Sequence, residues 1–154
     1  MRGDMKLTEI TSYIHHHIPI TSHIGATVEF FDGEKVSISA PLKPNLNPMN
    51  MAFAGSISTL AILSAWTLLF LKLKEKGIKN QLVIKKSIFD FLAPVEADFR
   101  ATSTMPDSIT WEKFIKGLMK KGRARITVKS KIESSSGVGG NHEGVYVAVV
   151  LKEK

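Results

Sequence analysis

The chain has no cysteine. That absence excludes disulfides, thiolate metal sites and a cysteine nucleophile together, and it fits a reducing cytoplasm. Charge is missing from one long stretch. Between Lys43 and Lys72, from Pro44 to Leu71, no side chain is charged. A helix formed there is apolar on every side and has to be surrounded by protein or by lipid. Acidic residues are in deficit, 14 against 21 Lys and Arg, and the net charge of +7 points to an anionic partner.

The lipid alternative has some support. Met51 to Leu71 reaches the length of a bilayer span, for which about 20 apolar residues suffice, and Lys72, Lys74 and Lys76 would form a cytoplasmic flank. Against it, Ser56, Ser58, Thr59 and Ser64 dilute the run, and strand-patterned segments lie on both sides. No second span is visible, and Met1 to Thr11 lacks the apolar core of a signal peptide. The expectation is a helix buried inside a sheet, with no membrane.

With 154 residues the chain has the size of one domain. Asp4 to His17 reads as a first helix, with Leu7, Ile10, Tyr13 and Ile14 on one face and Pro19 ending it. Gly25–Phe31 and Glu34–Pro41 flank Asp32-Gly33, a hairpin signal. Pro41 to Asn50 is a loop into the long helix, which ends at Gly77 after a basic last turn. Period two then takes over in Gln81–Leu92 and Val95–Met105. Pro106-Asp107-Ser108 caps a short amphipathic helix closed by Gly122. Arg123–Ser134 and Glu143–Lys152 are the last strands, joined by a glycine-rich loop from Ser134 to Asn141, where His142 is expected to be exposed. Short connections favour an antiparallel sheet, curved around the uncharged helix in an α+β fold.

That layout carries Asn47, a Phe53-Ala54-Gly55-Ser56 turn opening the helix, and Ala93-Pro94-Val95 with Asp98-Phe99 after it. Pro44-Asn45, Trp66-Thr67-Leu68-Leu69, Lys121-Gly122-Arg123-Ala124-Arg125-Ile126 and Glu143-Gly144-x-Tyr146-Val147-Ala148 belong to the same pattern. From about Ile18 to the C-terminus the chain resembles the hot-dog thioesterases, above all the thioesterase family related to the C-terminal domain of YiiD. The resemblance implies one hot-dog domain over 1–154, with an N-terminal helix within 1–17 and the loop and central helix over 45–76. It implies hydrolysis of an acyl thioester of coenzyme A or acyl carrier protein, in a homodimer or tetramer. The only cofactor expected is coenzyme A or phosphopantetheine as part of the substrate.

The physics of a helix start agrees with this. Unpaired N–H groups of a first turn favour negative charge, and fixed donors stabilise a developing oxyanion by about 3–4 kcal/mol. Asn47 stands where related enzymes place a polar group near the carbonyl or water. Gly55 allows close approach and Ser56 offers a hydroxyl. Phe53, Ala54, Ile57 and Leu60 are the expected acyl contacts. Many relatives carry an acid two turns into this helix, but Ile62 occupies that position here, and Phe53 stands where some have His. Asp98, with Asp90 and Glu96, then becomes the acidic candidate for activating water, and Ser87 a polar partner. A non-catalytic acyl-carrier binding module, or another thioester-handling reaction on the same fold, is the alternative.

Duller readings exist for each. Asn45, Asn47 and Asn50 can simply satisfy loop backbone, and Asp98 can face solvent. Lys121, Arg123 and Arg125, with Lys116 and Lys120, are either a solvated helix end or an anchor for coenzyme A phosphates or an acidic carrier. Nucleic acid is not expected, because no basic-aromatic module accompanies the charge. Consecutive His15, His16 and His17 point in different directions on a helix and converge poorly on one metal ion. Gly137-Val138-Gly139-Gly140 precedes a strand rather than a helix and is no dinucleotide fingerprint.

Overall fold

An uncharged helix needs walls, and a six-stranded antiparallel sheet supplies them. The computed structural model describes residues 5–152. Helix α1 (Leu7–His17) turns Ile10 and Ile14 inward. The expected cap Asp4 lies outside the described residues; Lys6 occupies the N-cap position, its amide donating to Glu9 Oε1 at 3.3 Å. A short α2 (Ile20–Ile24), absent from the sequence expectation, follows Pro19 and is closed by Gly25 at φ +79°. Strands β1 (Thr27–Phe31) and β2 (Lys35–Ala40) form the expected hairpin. Asp32 Oδ1 accepts from the amides of Glu34 and Lys35, each at 2.8 Å, and locks the turn.

The central helix α3 (Ala54–Glu75) is followed by β3 (Asn80–Phe91), β4 (Phe99–Thr104), α4 (Ser108–Lys121), β5 (Arg123–Ser134) and β6 (Gly137–Val150). Asp107 caps α4, accepting from Thr110 N at 2.8 Å, and Gly122 ends it at φ +75°. The strand order is β1-β2-β4-β5-β6-β3, every neighbouring pair antiparallel, with the sheet curved around α3. β3 therefore forms one edge.

Residues from nearly every side of α3 are buried, from Ile57 and Leu60 through Leu68 and Leu69 to Leu73. Its first half packs with Val36, Ile38, Phe99, Ala101 and Ile132, and α1 meets its later turns, where the Tyr13 and Phe70 rings stack with centroids 4.9 Å apart. Its second half packs with Phe114 and Leu118 of α4 and with Ile126, Tyr146 and Ala148. The helix is long and apolar enough to cross a membrane, yet it lies against the inner face of the sheet. Within this core Ser64, Ser103 and Ser130 satisfy one another. Ser103 Oγ lies 2.5 Å from both other hydroxyls, and Ser64 Oγ donates to Ala61 O at 2.9 Å. A buried hydroxyl without a partner is costly, so the three act as one polar tie between α3, β4 and β5.

Two strand boundaries differ from expectation. Val95 to Asp98 do not enter the sheet, because Val95 O accepts from Ala52 N and Asp98 Oδ1 from Leu42 N, each at 2.8 Å. These residues serve the loop before α3 instead. The glycine-rich loop after Ser134 shrinks to a tight turn. Gly137 to Asn141 continue β6, paired with β5 on one side and, through Gly140 and Asn141, with β3 on the other. Glycine suits this crowded position, since a side chain at Gly140 would strike the Phe89 ring and Asp90 O.

Leu60 is fully buried beneath the first turns of α3. Leu60→Ala is expected to cost about 2–5 kcal/mol in urea unfolding. A loss below about 1 kcal/mol would contradict the enclosure of α3.

Candidate functional site

The loop that delivers the chain to α3 is held by asparagines. Asn45, 3% exposed, donates from Nδ2 to Ile24 O (2.9 Å) and Pro41 O (2.7 Å), while its carbonyl accepts from Phe53 N at 2.7 Å. Asn47 N donates to Met51 O at 2.7 Å, and Asn47 Oδ1 accepts from the amides of Met49 (2.8 Å) and Met51 (3.1 Å). Asn50 turns the loop at φ +61°. The result is a small closed hairpin that presents the head of α3.

At that head, Phe53 takes the N-cap position without a side-chain cap. The amides of Ser56 and Ile57 both point at Phe53 O, at 3.0 and 3.1 Å. Those of Ala54 and Gly55 have no acceptor among the described residues. Such orphan donors carry the positive end of the helix dipole. Beside them lies a cavity of about 390 Å³, lined by Asn47, Met51, Ala52, Ala54, Ile57 and the segment Phe91–Val95. Among the described residues no ionisable side chain lines it.

The structure brings Asn47, Ala54 and Ile57 together around this cavity. Gly55 and Ser56 sit on the same helical turn. Phe53, largely exposed, folds its ring over Gly55, where any Cβ would collide with it. Leu60 lies behind Ile57 in the core. Asp98 is not among these residues. It is exposed, bonded to Leu42 N, and borders a separate groove with Glu29, Ser39 and Arg100. Asp90 and Glu96 are exposed too. Lys121 ends α4, and Arg123 and Arg125 are exposed on β5. On that strand Ile132 is level with Gly140 and so with Phe91 of the cavity. Arg123 is therefore about 30 Å along the strand from the helix head.

His142 corrects the expectation of an exposed loop histidine. It is 2% exposed in β6, facing inward. Its Nε2 lies 2.7 Å from Ser87 Oγ, its ring centroid 5.9 Å from that of Phe89, and its Nδ1 is buried without a partner among the described residues. Burial pushes its pKa below the usual 6.5, with Glu143 working weakly in the other direction. The alternation His142, Gly144, Tyr146, Ala148 held the clue, since it runs back from an obvious strand without a break. Glycine masked it, reading as loop.

The fold is that of the hot-dog class, and solved structures bear this out. A protein of unknown function from Chlorobaculum tepidum matches with TM-score 0.88 at 26% identity, over 94% of each chain. A "putative thioesterase" from Shewanella oneidensis matches with TM-score 0.82 at 24% identity, over 93% of this chain and 96% of that one. A thioesterase from Haemophilus influenzae matches with TM-score 0.77 at 14% identity, over 99% and 96%. The family model described as "Putative thioesterase (yiiD_Cterm)" covers residues 7–150, and the chain belongs to that family. Membership supports a thioester-related function.

The depressed pKa of His142 sets a stability window. The unfolded chain takes up this proton near pH 6.5 and the folded chain only at lower pH. The unfolded state therefore binds more protons between those two values, and stability rises with pH across the window. Wild type is expected to melt at a lower temperature at pH 5 than at pH 7.5, and His142→Gln is expected to show a smaller drop. Equal drops in thermal unfolding would show that His142 does not contribute.

Proposed function

We propose that the chain hydrolyses acyl thioesters of coenzyme A or acyl carrier protein at the head of α3. The observation that carries this reading is the pair of unpartnered amides, Ala54 and Gly55, beside an apolar cavity. A thioester carbonyl directed at them gains negative charge on oxygen as water attacks. Two fixed N–H donors stabilise that charge more than they stabilise the ground-state carbonyl. The C–S bond then breaks, and the leaving thiolate takes up the proton released by the water. Gly55 lets the Phe53 ring close over the turn, and the Ser56 hydroxyl borders the same turn.

Asn47 divides its labour in this proposal. Its Oδ1 holds the loop through Met49 and Met51, while Nδ2 makes no hydrogen bond among the described residues. Nδ2 is the donor offered to the carbonyl or to the attacking water. The acyl chain runs from Phe53 and Ala54 past Ile57, with Leu60 marking the floor. Exposed Val83, Ile88, Phe91 and Leu92, on and just after edge strand β3, support assembly into a homodimer or tetramer. The cysteine-free composition supports a cytoplasmic location.

One observation favours a second reading. Among the described residues the cavity has no titratable side chain to act as general base. An acyl-carrier binding module without turnover needs none. Titration calorimetry showing acyl-coenzyme A binding with no thiol release would select it.

Free thiol release from short-, medium- and long-chain acyl-coenzyme A, followed with dithionitrobenzoate, tests the hydrolase. Activity is expected on medium chains, and silence across all lengths would remove the claim. Asn47→Asp keeps the acceptor for both loop amides but loses the donor. It is expected to lower kcat about tenfold, a loss of about 1.4 kcal/mol in transition-state stabilisation. Its melting temperature should stay near that of wild type.

A further inference from the structure

We propose that the pole of the molecule opposite the helix head binds an anionic lipid surface, through exposed lysines and arginines gathered there from α3, α4, β5 and the end of β6. The net charge of +7 is not spread evenly along the chain. Residues 113–131 carry eight Lys and Arg and no acid, and residues 76–86 carry four more and again no acid. Most of the basic excess therefore comes from two short stretches.

The fold brings the ends of these stretches together. Helices α3 and α4 finish, and β3 and β5 begin, where β6 runs out. Leu151 N donates to Lys79 O at 3.0 Å, Val150 N to Gly122 O at 2.9 Å and Ile78 N to Leu73 O at 3.1 Å. Lys76, Lys120, Lys121, Arg123, Arg125 and Lys152 stand exposed around these bonds. None of the six forms an ion pair among the described residues. Glu75, the one acid among the described residues of these ends, lies 3.3 Å from Lys72. Lys76, Lys120 and Lys121 have a local use, since cations suit the last turn of a helix. Arg123, Arg125 and Lys152 lie on or after strands and serve no helix end. Like charges crowded together repel, and an anionic partner relieves that repulsion.

The chemistry of the pole favours a bilayer over other polyanions. Met119 and Leu151, 61% and 45% exposed, stand beside the cations. Such side chains enter between lipid headgroups, while Lys and Arg stems lie along the apolar boundary and hold their charges at the level of the phosphates. No aromatic ring occurs in 71–79, 118–125 or 149–152, so nothing there stacks on a nucleic-acid base. On the thioesterase reading, an acidic carrier docked here would stand about 30 Å from the amides its thioester has to reach. A lipid surface has no such constraint. The contact is with the surface alone, because α3 stays packed against the sheet and spans nothing.

The test is sedimentation of the folded, full chain with vesicles of phosphatidylcholine, alone or mixed with phosphatidylglycerol. Binding is expected to the anionic vesicles only, and to disappear at high salt as the charges are screened. Each cation near an anionic bilayer contributes about fivefold to partitioning, so Lys121→Gln/Arg123→Gln/Lys152→Gln is expected to lose about a hundredfold. Lys35→Gln/Lys43→Gln/Arg100→Gln removes the same charge from exposed positions elsewhere and is expected to bind nearly as wild type does. Melting temperatures near that of wild type in both variants make the comparison one of charge. No sedimentation with anionic vesicles, equal sedimentation with neutral ones, or equal losses in the two triple variants would overturn the proposal. If immobilised acyl carrier protein retains the chain while anionic vesicles do not, the pole serves an acidic protein and the lipid proposal falls. The test reads no activity, so its failure leaves the hydrolase reading untouched.

Discussion

Enclosure of α3 is the constraint from which the other features descend. A helix without charge from its first residue to Leu71 has no face it can leave in water, so strands must pass it on one side and helices must close the gaps. The curved sheet takes most of the surface, α4 covers one side of the second half, and α1 meets the same half through Tyr13 and Phe70. The same packing decides where the helix can be open. Its tail ends in lysines that reach solvent and suit the negative end of the dipole. Its head cannot be capped by a charged residue, because the approaching loop is uncharged too. The amides of Ala54 and Gly55 are left without an acceptor among the described residues, beside an apolar cavity that Asn47 also lines.

Among the buried polar side chains, the serine cluster and His142 behave differently. Ser64, Ser103 and Ser130 meet one another in pairs and triples, which lets hydroxyls replace methyl groups in the core without an orphan. His142 is only half satisfied. Ser87 occupies one ring nitrogen, and the other is buried without a partner among the described residues. A fold that needed only to fill this position would place an apolar side chain there. The bulge at Lys85 and the buried imidazole are two local departures from regularity at one place, on the edge strand that also exposes Val83 and Ile88.

How much was legible follows from the range of each signal. The Asp32-Gly33 hairpin, the Asp107 cap and the Gly122 stop are decided within a few residues, and each is found as expected. The long helix was legible from the missing charge, and the two-residue alternation of β5 from Ile126, Val128 and Ile132. Val95 to Asp98 alternate equally well but are drawn into loop contacts with Ala52 and Leu42, partners more than forty residues away in the chain. Gly137 to Gly140 look like a loop because glycine is rare in strands, whereas here a crowded ladder admits little else. Helix α2 is a single short turn with no period to detect.

The sequence by itself determined that an uncharged rod must be wrapped by an antiparallel sheet, and that a small-residue turn and an asparagine stand at its head. Those are consequences of local composition, which acts whatever the chain later touches. Only the tertiary structure decided which polar groups face one another. It set Asp98 on a loop amide rather than near the helix head, sent Arg123 and Arg125 to the far end of β5, and brought Ser87 onto His142 across a ladder whose register a single bulged residue controls. Side-chain direction in a strand reverses with every residue, so a contact between distant strands depends on register, and register is settled by packing.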